Sequence, residues 1–181
     1  MQKILCIGSA SVDIKAFSHQ EDVKNAYREG TIDLVPGGVA RCMAINLRRL
    51  GFDTSLYSVV GRDIFGEFIR AGLREAQVNV DLLRTSDTRK TALFSVMGAQ
   101  GESASCVYSN EALREIEVDR EFRDFVKKEK IDVFVLDSNL KNETLSGIYD
   151  IKKEAVLRAE SGTDPTMIPF IFQNATSPDI A

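Results

Sequence analysis

Val35-Pro36-Gly37-Gly38-Val39-Ala40-Arg41-Cys42-Met43-Ala44-Ile45-Asn46-Leu47-Arg48-Arg49-Leu50-Gly51 joins a strand-like segment to a helix through two adjacent glycines. Val39, Met43, Leu47 and Leu50, with Ala44 beside them, recur at helical spacing, and Arg41, Arg48 and Arg49 fall on the wet side. Gly51 stands where a left-handed cap ends such a helix. At its start, Gly37 and Gly38 leave the first backbone N–H groups uncovered by side chains, and those donors have no partner within the helix. The pair is either a tight strand-to-helix turn or a place where a polar ligand approaches backbone donors.

Upstream, Lys3-Ile4-Leu5-Cys6-Ile7 is a continuous apolar run ending at Gly8, the pattern of a strand buried on both faces of a parallel sheet. Val12-Asp13-Ile14-Lys15-Ala16-Phe17 alternates as a second strand. Asp13 lies just past the carboxyl end of the first, on the rim where open α/β sheets hold ligands, and is either a turn carboxylate or a ligand contact. Downstream, the segment 54–60 reads as a strand stopped by Gly61. Asp63 suits the N-cap of a helix over 64–77 with Phe65, Phe68, Ile69 and Leu73 turned inward. Strand, helix, strand, helix is the signature of a doubly wound α/β layer.

From Val80 the texture changes. Residues 82–84, 91–97 and 103–108 are strand-like, with Gly98-Ala99-Gln100-Gly101 as a hairpin connection. Together with 12–17 and 31–35 they predict a small antiparallel sheet projecting over the rim as a lid. Alternation puts Thr91, Leu93, Ser95 and Met97 on one face of it and Ala92, Phe94 and Val96 on the other. The α/β rhythm resumes with a helix near 118–130, a buried strand over 131–137 whose Asp137 again meets the rim, and a helix over about 143–160. One α/β domain is thus expected over 1–160, followed by an atypical tail over 161–181 in which 167–172 is a strand candidate weakened by Pro169.

A chain of 181 residues suits one domain with a proper core. Hydrophobic residues at 44% and charged residues at 28% match a water-soluble globular fold and do not indicate disorder. A net charge of -4 argues against a nucleic-acid binder, which needs clustered Lys and Arg. No stretch reaches the length of a membrane span, and the opening apolar run is too short for the core of a signal peptide. Cys6, Cys42 and Cys106 are widely spaced and suggest neither a disulfide framework nor a zinc site, which points to the reducing cytoplasm. His19, the single histidine, cannot build a metal site and reads as a bystander, so no metal ligands are assigned.

Four motifs resemble the N-terminal part of the PfkB carbohydrate kinase family, the ribokinase-like sugar and nucleoside kinases. They are Ile7-Gly8 followed by Asp13; Pro36-Gly37-Gly38-Val39-Ala40-Arg41 with its helix, most similar to the pseudouridine-kinase-like branch; Val60-Gly61-Arg62-Asp63 with Gly66; and Leu136-Asp137-Ser138-Asn139-Leu140. Their order and spacing make the resemblance specific over residues 3–153. It implies an incomplete ribokinase-like doubly wound sheet with a lid, and phosphoryl transfer from ATP, with Mg, to a sugar or nucleoside hydroxyl. Asp13 and Asp137 would bind substrate hydroxyls, Gly37 and Gly38 would meet the substrate as the lid closes, and Phe94 and Ser95 would belong to the lid. Cys42 stands where the family has a hydrogen-bonding Asn, and is a weaker partner. The family's ATP loops, anion hole and catalytic Asp belong to its second half. No GxGD-like segment or P-loop occurs in this chain, so no catalytic residue is assigned and a truncated, inactive kinase half is expected. The alternatives are a non-catalytic sugar-binding or nucleoside-binding module, a homodimer paired through the lid strands, or an inactive remnant.

Overall fold

The computed structural model describes residues 1–19, 27–99 and 105–151, together with the backbone of 156–159 and 173–174. The chain begins with β1 (Lys3–Ile7), β2 (Ser11–Ser18), β3 (Gly30–Gly37), α1 (Val39–Arg49), β4 (Asp53–Gly61), α2 (Ile64–Glu75) and β5 (Leu83–Ser86). It continues with β6 (Ala92–Ala99), β7 (Ser105–Ser109), a 3-10 turn at Glu111–Glu115, α3 (Arg120–Glu129), β8 (Val133–Asp137), α4 (Asn142–Ile151), β9 (Val156–Ala159) and β10 (Gln173–Asn174).

The main sheet runs β10-β9-β8-β1-β4-β5, parallel throughout except for β10 against β9. β1 is apolar at every position from Ile4 to Ile7 because both of its faces are covered. Leu5 and Ile7 pack with Tyr57, Phe134 and Leu136 against Phe122, Val126 and Ile148 on one side. Ile4 and Cys6 pack with Leu56 and Val60 against Ala40, Ala44, Ile69 and Leu73 on the other. Both clusters remove aliphatic and aromatic surface from water, which is the main stabilising contribution to such a layer. Burial pushes the Cys6 thiol far up, so this cysteine is inert.

The second sheet, β3-β2-β6-β7, is the lid. It is mixed rather than antiparallel as expected: β2 pairs with β3 and β6 with β7 in antiparallel fashion, but β2 and β6 run parallel. The cause is topological, since each leaves the main sheet in the same direction. The chain crosses between sheet and lid four times: after β1, before α1, before β6 and after β7. All four crossings meet the lid at one end, the row holding Gly37, Ser11 and Ala92 with Ser109 beside it.

Several expectations are corrected. Residues 82–84 do not join the lid: β5 pairs in parallel with β4, and Leu82 and Leu83 are buried in the two core clusters. In α1 the inward face is turned by one position, with Ala40 and Ala44 buried, Met43 and Leu47 flanking them and Leu50 exposed. Small alanines let α1 lie close to the sheet, which a leucine at the centre would prevent. In α2, Ile69 and Leu73 face the core as expected, but Phe68 is 43% exposed. The helix expected to reach 160 ends at Ile151, and Val156–Ala159 extends the parallel sheet beside β8. The strand candidate at 167–172 and the hairpin tip at Gln100-Gly101 lie outside the described residues. Among the described residues no helix is long and apolar enough to cross a membrane.

Candidate functional site

Strand order reverses at β1, and a cleft of about 510 Å³ opens above that point between the carboxyl ends of the strands and the root of the lid. Its wall includes Ser9, Ser11, Asp13, Gly38, Val39, Phe94, Tyr108, Asn110 and Asn139.

The floor is a closed hydrogen-bond frame. The Ser9 amide donates to Asp137 Oδ2 at 2.9 Å, and the Ser9 hydroxyl donates to the same oxygen in a short contact. That hydroxyl oxygen also accepts from the first amide of α1, Val39, at 2.9 Å, while the Ser9 carbonyl accepts from the Arg41 amide at 3.1 Å. Asp137 Oδ1 accepts from the Asn139 amide at 3.0 Å and from Asn139 Nδ2 at 2.8 Å. Asp137 is thus engaged on both oxygens and is 0% exposed. It builds the frame and does not line the cleft, contrary to the substrate-facing role expected. Its neighbours Ser9 and Asn139, which sequence reasoning passed over, form the wall instead.

Asp13 is the carboxylate that faces the cleft. Ser11 Oγ approaches its Oδ1 at 3.4 Å, and room for the carboxylate is made by Gly37 on the paired strand, where a Cβ would sit 2.2 Å from that oxygen. Gly38 holds φ at +94, and a Cβ there would meet the Ser9 carbonyl at 2.5 Å, so the fold requires glycine at 38, whereas at 37 a Cβ would displace only the end of the Asp13 side chain. The geometry brings Asp13, Gly37, Gly38 and Phe94 together. Cys42, one turn into α1, is exposed and contributes nothing to the cleft wall, its sulfur lying 3.5 Å from Arg41 Nη2. Ser95 belongs to the opposite face of the lid, the consequence of strand alternation from Phe94. His19 pairs with Thr31 at 3.1 Å, far along the lid strands from the root.

A further network pins the third crossing. Asp63 Oδ1 caps α2 by accepting from the Gly66 amide at 2.9 Å and accepts from the Thr91 hydroxyl at 2.6 Å, while Oδ2 accepts from the Thr91 amide at 2.9 Å. Partial burial pushes the Asp63 carboxyl up, but the Thr91 hydroxyl and the two amides outweigh it and hold the group below the usual carboxylate range. Arg84 on β5 grips Asp119 through two bonds of 2.7 and 2.8 Å and lies 4.9 Å from the centre of the Tyr57 ring. The hydrogen bonds from the guanidinium hold the Asp119 carboxyl below its ordinary value.

These residues line a polar cleft at the carboxyl rim of an α/β domain that carries a lid. Residues 1–169 match the pfkB family carbohydrate kinases, and the chain belongs to that family. Pseudouridine kinase of Escherichia coli strain K12 is 29% identical over 150 residues, which cover 81% of this chain and 47% of that protein. A fructokinase of Klebsiella pneumoniae is 32% identical over 101 residues, 55% of this chain and 30% of the relative. A carbohydrate kinase from Agrobacterium tumefaciens superposes with a TM-score of 0.77 at 24% identity, covering 88% of this chain and 53% of that one. The chain therefore spans about half the length, or less, of the relatives it matches.

A kinase family implies ATP and a divalent cation. Among the described residues no group of three or more His, Cys, Asp or Glu converges to hold a metal, and the cleft wall carries no Lys or Arg for phosphates. The described residues do not fit a metal–nucleotide site.

Proposed function

We propose that this chain supplies the acceptor-binding half of an ATP-dependent phosphotransferase acting on a sugar or nucleoside hydroxyl. The observation that carries this reading is the Asp13 carboxylate, held open by Gly37 at the root of a lid and above the start of α1. An ionised carboxylate accepts paired hydroxyl donors, and a site built to satisfy them discriminates against analogues lacking them. Ser9 and Asn139, fixed by Asp137, add donors and acceptors from the floor. Closure of the lid would exclude water from the transfer step. The free thiols Cys42 and Cys106 are exposed, which supports the cytoplasm as the compartment.

Calorimetry with pseudouridine, ribose and fructose tests the binding half of the proposal. At least one binds, and Asp13→Asn weakens it tenfold or more; unchanged affinity in that variant overturns the reading. A coupled assay with ATP and the same compounds should detect little or no turnover by the 181-residue chain, since no proton acceptor for the attacking hydroxyl is assigned in it.

A second reading, pairing through the lid, is favoured by one observation. By register, Ile32, Leu34, Ile14, Ala16, Ser95, Met97 and Val107 share the face turned away from the cleft, a face without a charged residue among the described residues, and Ile32 and Val107 are 72% and 73% exposed. Such a patch suits a second copy of the same sheet. Sedimentation of the wild type and of Ile32→Lys decides it: a dimer dissociated by the lysine supports pairing, and a monomeric wild type removes it.

A further inference from the structure

We infer that Arg41 is a positioning residue: its guanidinium straps the end of the lid strand β3 to α1 across the Gly37-Gly38 turn, and so sets where the Asp13 carboxylate stands over the cleft floor. Its consequence for ligand affinity rests on the acceptor-binding reading of Asp13; the strap itself does not.

The sequence pattern puts Arg41 on the wet side of α1, yet the residue is half-buried and its side chain turns back along the chain. Arg41 Nε donates to the Gly37 carbonyl at 2.7 Å, and Nη2 donates to the Pro36 carbonyl in a short contact. Its remaining side-chain contact, Nη2 to the Cys42 sulfur at 3.5 Å, stays within α1 and holds nothing across the turn. The Arg41 amide donates to the Ser9 carbonyl at 3.1 Å, so one residue grips the floor with its main chain and the lid with its side chain. A cation in the first turn of a helix stands against the helix dipole, and no acidic residue in that turn offsets it. The two carbonyls do. β3 is the outermost strand of the lid, with β2 on one side only, and the carbonyls along its other side lack a strand partner.

The strap spans a hinge. Arg41 is carried by α1, which Ala40 and Ala44 seat on the main sheet, while its acceptors belong to the end of β3. Gly38, with φ at +94, lies between the two. β3 pairs with β2 on eight consecutive rungs, from Gly37 opposite Ser11 to Gly30 opposite Ser18, so holding the end of β3 also holds the strand that carries Asp13. The coupling is direct as well, because Gly37, whose carbonyl Arg41 holds, is the residue that makes room for the Asp13 carboxylate. Lysine cannot replace this grip. A guanidinium presents several donors in a fixed planar fork and serves two carbonyls at once, whereas an ammonium is a single point on a flexible stem.

The lid angle is read without ligand by electron–electron double resonance between spin labels on Asp33→Cys in β3 and Lys127→Cys in α3, both exposed, with Cys42→Ser and Cys106→Ser removing the exposed native thiols. The distance distribution should be narrow with Arg41 present and should broaden or shift in Arg41→Lys and in Arg41→Ala. Calorimetry of the 181-residue chain with pseudouridine, ribose and fructose then reads the consequence. Arg41→Lys and Arg41→Ala should each weaken the compound that binds by about tenfold, the scale of a lost pair of charge-assisted hydrogen bonds. Added methylguanidinium should restore affinity in Arg41→Ala, where it has space, and leave Arg41→Lys unchanged; a general loss of stability would show no such rescue. Distances unaltered in both variants overturn the strap whatever the ligand does. Distances altered with affinity unchanged, or full affinity in Arg41→Lys, overturn the positioning role while the Asp13 reading stands. If the wild type binds none of the three compounds, the acceptor reading fails and the positioning role falls with it, and the distances still decide the strap.

Discussion

The two sheets of this molecule are built from similar residues and placed in opposite circumstances. In the main sheet, strands such as β1 and β8 are apolar in runs because helices cover both faces. In the lid, β3 and β7 are exposed along most or all of their length, and apolar side chains such as Ile32 and Val107 face water. Stability is therefore concentrated in one sheet, and the other is free to serve recognition. The lesson is that an apolar side chain has no fixed meaning in such a fold. Phe134 holds the layers together, while Phe94 offers its ring to the cleft.

The contrast can be broken most directly by truncation on each side. Phe134→Ala, at a fully buried ring 6.2 Å from Phe122, should cost about 3–5 kcal/mol in urea unfolding, whereas Ile32→Ala in the lid should stay within about 0.5 kcal/mol. Comparable losses at the two positions would show that the lid shares the core's cooperativity. A smaller effect distinguishes frame from wall. Asp137→Ala strands the donors of Ser9 and Asn139 and should destabilise by about 1–3 kcal/mol as well as weaken ligand binding. Gly37→Ala, whose Cβ displaces the Asp13 carboxylate, should weaken binding with the thermal midpoint nearly unmoved, because the end of a flexible side chain can yield.

The smallest expected effect is that of pH. Asp63 and Asp119 are both held below the ordinary carboxylate range, so each binds its proton more readily in the unfolded chain. Their contribution is complete above about pH 4, the unfolded carboxylate range, and is lost as pH falls through the lower folded values. Urea midpoints between pH 5 and pH 3 should fall, and Asp63→Asn should flatten part of that slope. A midpoint that rises on acidification contradicts both assignments.

Much of the layered core was legible because burial on two faces leaves a one-dimensional signature, the unbroken apolar run of Ile4 to Ile7 being the clearest. The helix caps were legible for a local reason, since Asp63 and Gly51 act within a few residues of themselves. Sheet membership was not. A four-residue strand such as β5 carries no mark of which sheet it will join, and only pairing with β4 decides it. The site was legible in part. Asp13, Gly37 and Gly38 were found from motif and position, but Asp137 was read by its place at a strand end, where its burial by Ser9 and Asn139 could not be seen. Ser9 had a usable signal, a small polar residue directly after the strand-ending Gly8. Tyr108 had none until β6 and β7 were paired in register.

The four crossings at the root of the lid have a mechanical consequence. A flap tied along one edge by four cords cannot slide or drift away; it can only swing about that edge. In such a swing displacement would grow with distance from the axis, least at Ser11 and Ala92 and most at Phe17 and Gly98, toward the far end of β2 and β6. Asp13 sits two residues past the first of these rows, close to that axis, so a swing of the lid would shift it little relative to the floor.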